Sequence, residues 1–360
     1  MSTPEHDSDA APRAISMRRR FLALPTLISF AFAIAFIAFL FTRFDLDLGE
    51  TWTDVRGANP GYLVLAFFAY YLSFPVRGWR WRLLLRNAGV FKEASQAPPT
   101  VMAHSELILI SWFANSVSWL RMGDALRGYL LSNRLSVSFS RIMGTILAER
   151  VVDVALVFAL LILAGFGLLR SDVNDTVGIV IVAATALTGV GVATLFVMRL
   201  FGLRLARRLP DRIQLAYERF QAGTLGSFQR LPALAALTIV IWLLETARLF
   251  FVIEAMGFEV GLALILFAAL AHSLLTTVPI TPGGLGVVEL GLTGLLALSP
   301  VLGSNEAAAV TLVDRSITYL SILVFGGLAF AVYQARQARR GVGAREGMTE
   351  PTVDQGTRRQ

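Results

Sequence analysis

Val278-Pro-Ile-Thr-Pro-Gly-Gly-Leu-Gly-Val-Val-Glu-Leu-Gly291 lies inside a hydrophobic run, yet it holds two prolines, four glycines and a carboxylate. Pro279 and Pro282 break a helix, because each removes a backbone donor and clashes with the preceding turn. Gly283, Gly284 and Gly286 then let the backbone turn sharply or approach another group closely. Glu289 stands where a new helix would start. In lipid, irregular backbone is tolerated only where protein buries it or where it lines a wet cavity. The stretch therefore predicts a broken or re-entrant hairpin that builds a polar site within a membrane.

Around it, 55% of the residues are hydrophobic and 16% are charged. Several uncharged runs reach the roughly 20 residues that cross a bilayer. A soluble domain is excluded, and the fold class is all-α, a polytopic helical membrane protein. The formal net charge is +7, but the arginines cluster in short segments between apolar runs, as the positive-inside rule requires. We therefore expect no nucleic-acid partner. There is no cysteine, which excludes disulfides, thiolate catalysis and thiolate metal sites. His6, His104 and His272 are too scattered for a zinc motif, and we expect neither metal nor cofactor.

In chain order, we read 1–16 as a disordered tail, 17–340 as one transmembrane domain and 341–360 as a second disordered tail. Arg18-Arg19-Arg20 precedes a first span, Phe21 to Thr42, longer than the roughly 7–15 apolar residues of a signal peptide. The acidic loop after it carries Asp45, Asp47, Glu50 and Asp54 and suits the outside. Asp45-Leu-Asp47 has the form of a metal–nucleotide pair in some glycosyltransferases, though so short a pattern reads more simply as a solvated loop. A second span, about 61–76, ends in Arg77-Gly-Trp-Arg80-Trp-Arg82, a basic-aromatic cluster expected at the cytoplasmic interface. The apolar stretch 101–120 leads into Arg121-Met-Gly-Asp124-Ala-Leu-Arg127, and both its flanks read as cytoplasmic. Runs at 142–169 and 177–198 cross out and back. The basic loop 199–230 is cytoplasmic, 231–253 crosses outward, 260–300 begins and ends outside, and 308–333 returns. This gives about six full spans plus two hairpins, with both termini cytoplasmic in the inner (plasma) membrane.

The two halves echo each other. Ala103-His104-Ser105 and Ala271-His272-Ser273 are the same tripeptide, Arg80 answers Arg248 and Gly89 answers Gly257. Further on, Met122 to Arg127 takes the place of Gly283 to Glu289, and Ala148-Glu-Arg150 answers Val313-Asp-Arg315. The common order predicts a first repeat over about 61–169 and a second over about 231–335. Because one hairpin opens to the cytoplasm and the other to the outside, the repeats should be inverted, a recurrent transporter design.

Arg150 and Arg315 each lie about two turns inside their spans, where a charge costs at least about 2.5–3.5 kcal/mol. Glu149 and Asp153 flank Arg150, with Asp153 on nearly the same helix face. Asp314 adjoins Arg315, which is free to pair elsewhere with Glu289 or Asp124. These groups serve equally as a structural ion-pair network or as ligand contacts. Glu245 with Arg248 reads as a structural pair. A helix starting after Gly286 would present N–H groups to a phosphate or carboxylate. Arg121, Arg127, Arg150 and Arg315 would add charge-assisted bonds. The candidate binding residues are thus Arg121, Asp124, Arg127, Glu149, Arg150, Asp153, Pro282, Gly283, Gly284, Gly286, Glu289, Asp314 and Arg315, with no catalytic residue among them.

Pro282-Gly-Gly-Leu-Gly-Val-Val-Glu289, Gly123-Asp-Ala-Leu-Arg127, Glu149-Arg150 with Asp153, and Arg80-Trp-Arg82-Leu-Leu-Leu together resemble the lysylphosphatidylglycerol synthase transmembrane, flippase-like family, over about Phe21 to Arg336. Members often carry Pro shortly before the Gly-Asp motif, where this chain has Trp119-Leu120. The resemblance implies movement of lipids between leaflets, with relatives associated with hopanoid or lipid-linked sugar pathways. The expected partner is a membrane lipid: an anionic or aminoacylated phospholipid, or a lipid-linked sugar. The chain ends soon after its last span, so we expect no soluble aminoacyl-transferase domain and no synthesis of the aminoacylated lipid. The oligomeric state is left open, a homo-oligomer included. The rival readings are an integral-membrane lipid- or glycosyl-transferase and an accessory subunit of a lipid pathway.

Overall fold

The computed structural model describes Thr53 and residues 55–118, 121–168, 174–277 and 281–337. The expected tails, the Phe21–Thr42 span, the Asp45/Asp47 pair and Pro279 lie outside these residues. No strand occurs among the described residues. The first half runs through α1 (Pro60–Asn87), a short α2 (Val90–Glu93), α3 (Val101–Val117), α4 (Met122–Leu135) and α5 (Phe139–Leu168). Two helices then join the halves, α6 (Asn174–Ala206) and α7 (Asp211–Gly226). The second half has α8 (Leu231–Ala255), α9 (Leu262–Thr277), a 3₁₀ turn at Pro282–Gly284, and α10 (Val287–Leu296). Last comes α11, Ser304–Gln337, wound partly as π-turns.

The order is the same twice: a long helix, a left-handed glycine, two short helices around a break, and a long helix. Gly89 and Gly257 take φ of 75° and 77° at matching turns, a conformation that suits glycine because it has no Cβ to clash. Gly286 takes φ 83° immediately before α10.

Three of the described helices are long and apolar enough to cross a membrane: Gly178–Ala206, Leu231–Ala255 and Ser304–Gln337. The paired short helices are different. With 17, 14, 16 and 10 residues, α3, α4, α9 and α10 each extend about 15–25 Å at 1.5 Å per residue. That is less than the roughly 30 Å of a hydrocarbon core, so each pair forms a broken hairpin.

Two expectations change here. The basic loop at 199–230 is largely helical: α6 continues to Ala206, and α7 packs on α5, where Gly223 lies against the Arg141 carbonyl and Gly144 against that of Phe220. The second span does not end at Val76, because α1 carries Pro75 in its interior and runs on to Asn87. In consequence Arg77 and Arg80 face the protein interior, and only Trp79 of that cluster is strongly exposed, at 58%.

The halves meet along α1 and α8, and the contacts run in opposite directions. Asn59 N–H donates to the Ala255 carbonyl at 2.6 Å, and Arg77 Nη2 to Glu245 Oε1 at 2.7 Å. Arg80 Nη1 then reaches Thr238 Oγ1 at 3.0 Å, and Asn87 Nδ2 reaches the Gln229 carbonyl at 2.6 Å. As α1 ascends in number, its partners on α8 descend. Equivalent helices packed antiparallel are related by a two-fold axis perpendicular to them, which is the inverted arrangement.

Candidate functional site

The ion pairs repeat with the helices. In the first half, Arg80 Nη2 donates to Glu149 Oε1 at 3.3 Å and to Asp153 Oδ2 at 3.0 Å, tying α1 to α5. In the second, Arg248 pairs with Asp314, tying α8 to α11. Arg150 Nη2 donates to both oxygens of Asp124 at 3.0 and 3.1 Å, which fastens the start of α4 to α5. Its counterpart Arg315 donates Nε to Glu289 Oε1 at 2.7 Å, fastening the start of α10 to α11. The axis itself carries Arg77 and Glu245, which are 168 residues apart in sequence, the same offset that separates Arg80 from Arg248.

A cavity of about 170 Å³ lies where these elements converge. Five arginines line it (Arg77, Arg121, Arg150, Arg248 and Arg315), against two carboxylates, Asp153 and Glu245. Tyr70, Trp112, Trp242 and Tyr319 form apolar wall with polar tips, and Gly283 and Gly284 bring backbone to its edge. Arg77 lies over the Trp112 ring at 4.8 Å and Arg315 over Tyr319 at 4.9 Å. Among the nitrogens of lining residues, Trp242 Nε1 and Arg150 Nε have no protein acceptor among the described residues. Guanidinium groups that outnumber the carboxylates on the lining, some of them over aromatic rings, make a surface suited to a phosphate or carboxylate.

Taken over the wall and the side chains behind it together, the charges nearly cancel. Seven arginines (Arg77, Arg80, Arg121, Arg127, Arg150, Arg248, Arg315) share six carboxylates (Asp124, Glu149, Asp153, Glu245, Glu289, Asp314). Buried charges persist only when paired and hydrogen-bonded, since leaving one uncompensated costs several kcal/mol.

Of the residues singled out from sequence, Arg121, Arg150, Asp153, Gly283, Gly284 and Arg315 line the cavity. Asp124, Arg127, Glu149, Glu289 and Asp314 stand behind it in the ion-pair network, and Gly286 precedes α10 there. Arg127 is buried between Asp124 and Glu149, both at 3.2 Å, with its guanidinium over Trp81 at 4.9 Å. It is not among the residues that line the cavity. Asp314 pairs with Arg248 rather than its chain neighbour, and Arg315 pairs with Glu289, one of the two partners foreseen. Pro282 opens the 3₁₀ turn, and its side chain lies outside the described residues. The start of α10 is not free to receive an anion at its first donor, because Gly286 N–H already donates to Glu289 Oε2 at 2.6 Å.

Sequence reasoning did not place Arg77, Trp112, Trp242, Tyr70 or Tyr319 at the site, and it took Glu245 and Arg248 as a local pair. They do pair, at 3.3 Å, and both also line the cavity. The signal that would have found Arg77 is its offset from Glu245, shared with Arg80 and Arg248.

Each break also reaches the opposite half. Arg121 Nη1 donates to the Thr276 carbonyl on α9 at 2.7 Å, and the Tyr319 hydroxyl on α11 donates to the Ser116 carbonyl on α3 at 3.2 Å. Arg121 sits at the start of α4 with φ 52° and ψ 41°, a left-handed conformation that costs a non-glycine residue about 1–2 kcal/mol. Arg121→Gly and Arg121→Ala both lose the latch, but glycine relieves the backbone. The glycine variant should therefore be the more stable of the two by about 1 kcal/mol, read by thermal unfolding in detergent. Equal stability would mean that the strained turn is not kept.

Residues 26–326 match the family described as the lysylphosphatidylglycerol synthase TM region. A UPF0104 membrane protein of Methanocaldococcus jannaschii is 30% identical over 231 residues, covering 62% of this chain and 94% of that protein. A UPF0104 membrane protein of Methanothermobacter thermautotrophicus is 24% identical over 341 residues, 87% of this chain and 94% of the other. Glycosyltransferase AglD of Haloferax volcanii is 24% identical over 356 residues, 87% of this chain but 55% of that protein. With a matched region that spans both broken hairpins and the ion pairs between them, this chain is an integral membrane protein of the lysylphosphatidylglycerol synthase TM family.

Proposed function

We propose that the protein is a lipid translocase of the inner membrane, with both termini cytoplasmic, that binds a head group in the central cavity and helps it cross. The observation that carries this is the excess of arginines over carboxylates on the cavity wall, five against two, between two oppositely directed halves. An anionic or aminoacylated phospholipid, or a lipid-linked sugar phosphate, brings the phosphate that such a wall would hold. The latches from Arg121 and Tyr319 close the cavity from either half. Exchanging which one is made would open it to alternate sides, as inverted repeats allow. One relative is named a glycosyltransferase, and the region shared with it is little more than half of that protein. We therefore carry the lipid environment, rather than sugar transfer, to this chain.

The test is leaflet-to-leaflet movement of labelled anionic, aminoacylated and sugar-linked lipids in proteoliposomes. Wild type should move one head-group class selectively, and Arg315→Ala and Glu289→Gln should each slow it by at least about tenfold, the loss of one charge-assisted contact. Unchanged movement in both folded variants, or no movement of any lipid by wild type, would remove this reading in favour of a transferase or an accessory subunit.

A further inference from the structure

Two adjoining cavities, of about 350 and 310 Å³, lie apart from the central one and share Arg134, Tyr333 and Gln337. They form where the first turn of α3, the end of α4 and the last turns of α11 come together. Among their lining residues Glu106 is the single carboxylate, against Arg134 and Arg336. Arg336 Nη1 takes that carboxylate at 3.2 Å, which leaves the charge of Arg134 without a lining counter-ion. Tyr333 is 7% exposed, and its hydroxyl accepts from Gln337 Nε2 at 3.0 Å. A hydroxyl used as acceptor keeps its own proton to donate. The start of α3, where Thr100 caps the helix, adds the positive end of a helix dipole.

A guanidinium with no lining counter-ion, a buried O–H with its proton to give, side-chain amides and a helix N-terminus all favour the same ligand chemistry. We propose that this is a second binding site, for a phosphate group. It is distinct from the central cavity, and it joins the first broken hairpin to the last helix. The phosphate has two sources, the head group of a membrane lipid or free inorganic phosphate. Occupancy would clasp α11 to α3 and α4, and so stabilise the fold by the linkage between ligand binding and unfolding.

The experiment measures the thermal unfolding midpoint of the full chain in nanodiscs of phosphatidylcholine, with and without phosphatidic acid, and separately with increasing inorganic phosphate. The expected result is a saturable rise in midpoint with one of the two probes. Arg134→Gln should weaken the apparent affinity by at least about tenfold, and Tyr333→Phe should weaken it in the same direction. Arg315→Ala, which alters the central cavity, should leave that rise in place. A response to phosphatidic acid alone identifies the lipid source, and one to inorganic phosphate identifies the free ion. A rise of equal size in wild type, Arg134→Gln and Tyr333→Phe, or one lost only in Arg315→Ala, or none with either probe, overturns the proposal. The variants' midpoints in plain phosphatidylcholine show that they fold.

Discussion

Asp124→Asn is expected to destabilise the protein by about 3–5 kcal/mol, the cost of leaving buried charge uncompensated. Asp124 is buried and receives three guanidinium groups: Arg150 at 3.0 Å, Arg127 at 3.2 Å and Arg121 at 3.4 Å. Asparagine keeps the shape and one acceptor oxygen but removes the charge that the three cations share. Arg127 retains Glu149 and Arg150 retains Asp153 at 3.8 Å, so the cluster loses its centre and not every partner. Thermal or denaturant unfolding in detergent reads the effect directly. A loss below about 1 kcal/mol would place Asp124 with solvent-screened surface pairs and would contradict its burial.

The second large effect concerns the pair on the axis. Glu245→Met should cost about 3–5 kcal/mol, because it strands Arg77 in the interior, and Arg77→Met should cost less, because Glu245 keeps Arg248 at 3.3 Å. The double variant should lose less than the sum, giving a coupling of several kcal/mol, since two well-packed methionines need no counter-ion. Arg248 keeps Asp314 in that background. Because Arg77 and Glu245 line the cavity, the double variant should fold and still lose lipid movement. Additive losses would show that the two side chains do not stabilise each other, and the antiparallel register of α1 and α8 would need revision.

Much of this architecture is written locally. The breaks are legible because proline and glycine act on their own φ/ψ and on the turn beside them. The start of α10 after Gly286 follows from that chemistry. The duplicated order was legible because the Ala-His-Ser pair, Gly89 and Gly257, and the Glu-Arg and Asp-Arg pairs recur in the same order. Arg150 and Arg315 stood out because a charge within an apolar run needs a partner.

What the sequence did not decide was which charge meets which. Arg77 and Arg80 sit beside Trp79 and Trp81, a composition that reads as a membrane interface, yet Arg80 is 1% exposed and bonded to acids on another helix. Asp314 is adjacent to Arg315 and pairs instead with Arg248, because neighbours one position apart on a helix point in different directions. Arg121 adopts a left-handed turn that nothing in its side chain favours, and the contacts to Thr276 and Asp124 hold it there. The sequence by itself determined a duplicated helical membrane protein with two broken hairpins, through signals that act within a turn or two of the chain. The pairs that join different helices among the seven arginines and six carboxylates were decided by tertiary structure. A Coulomb partner is chosen by distance in space, and the partners here lie as far as 168 residues apart.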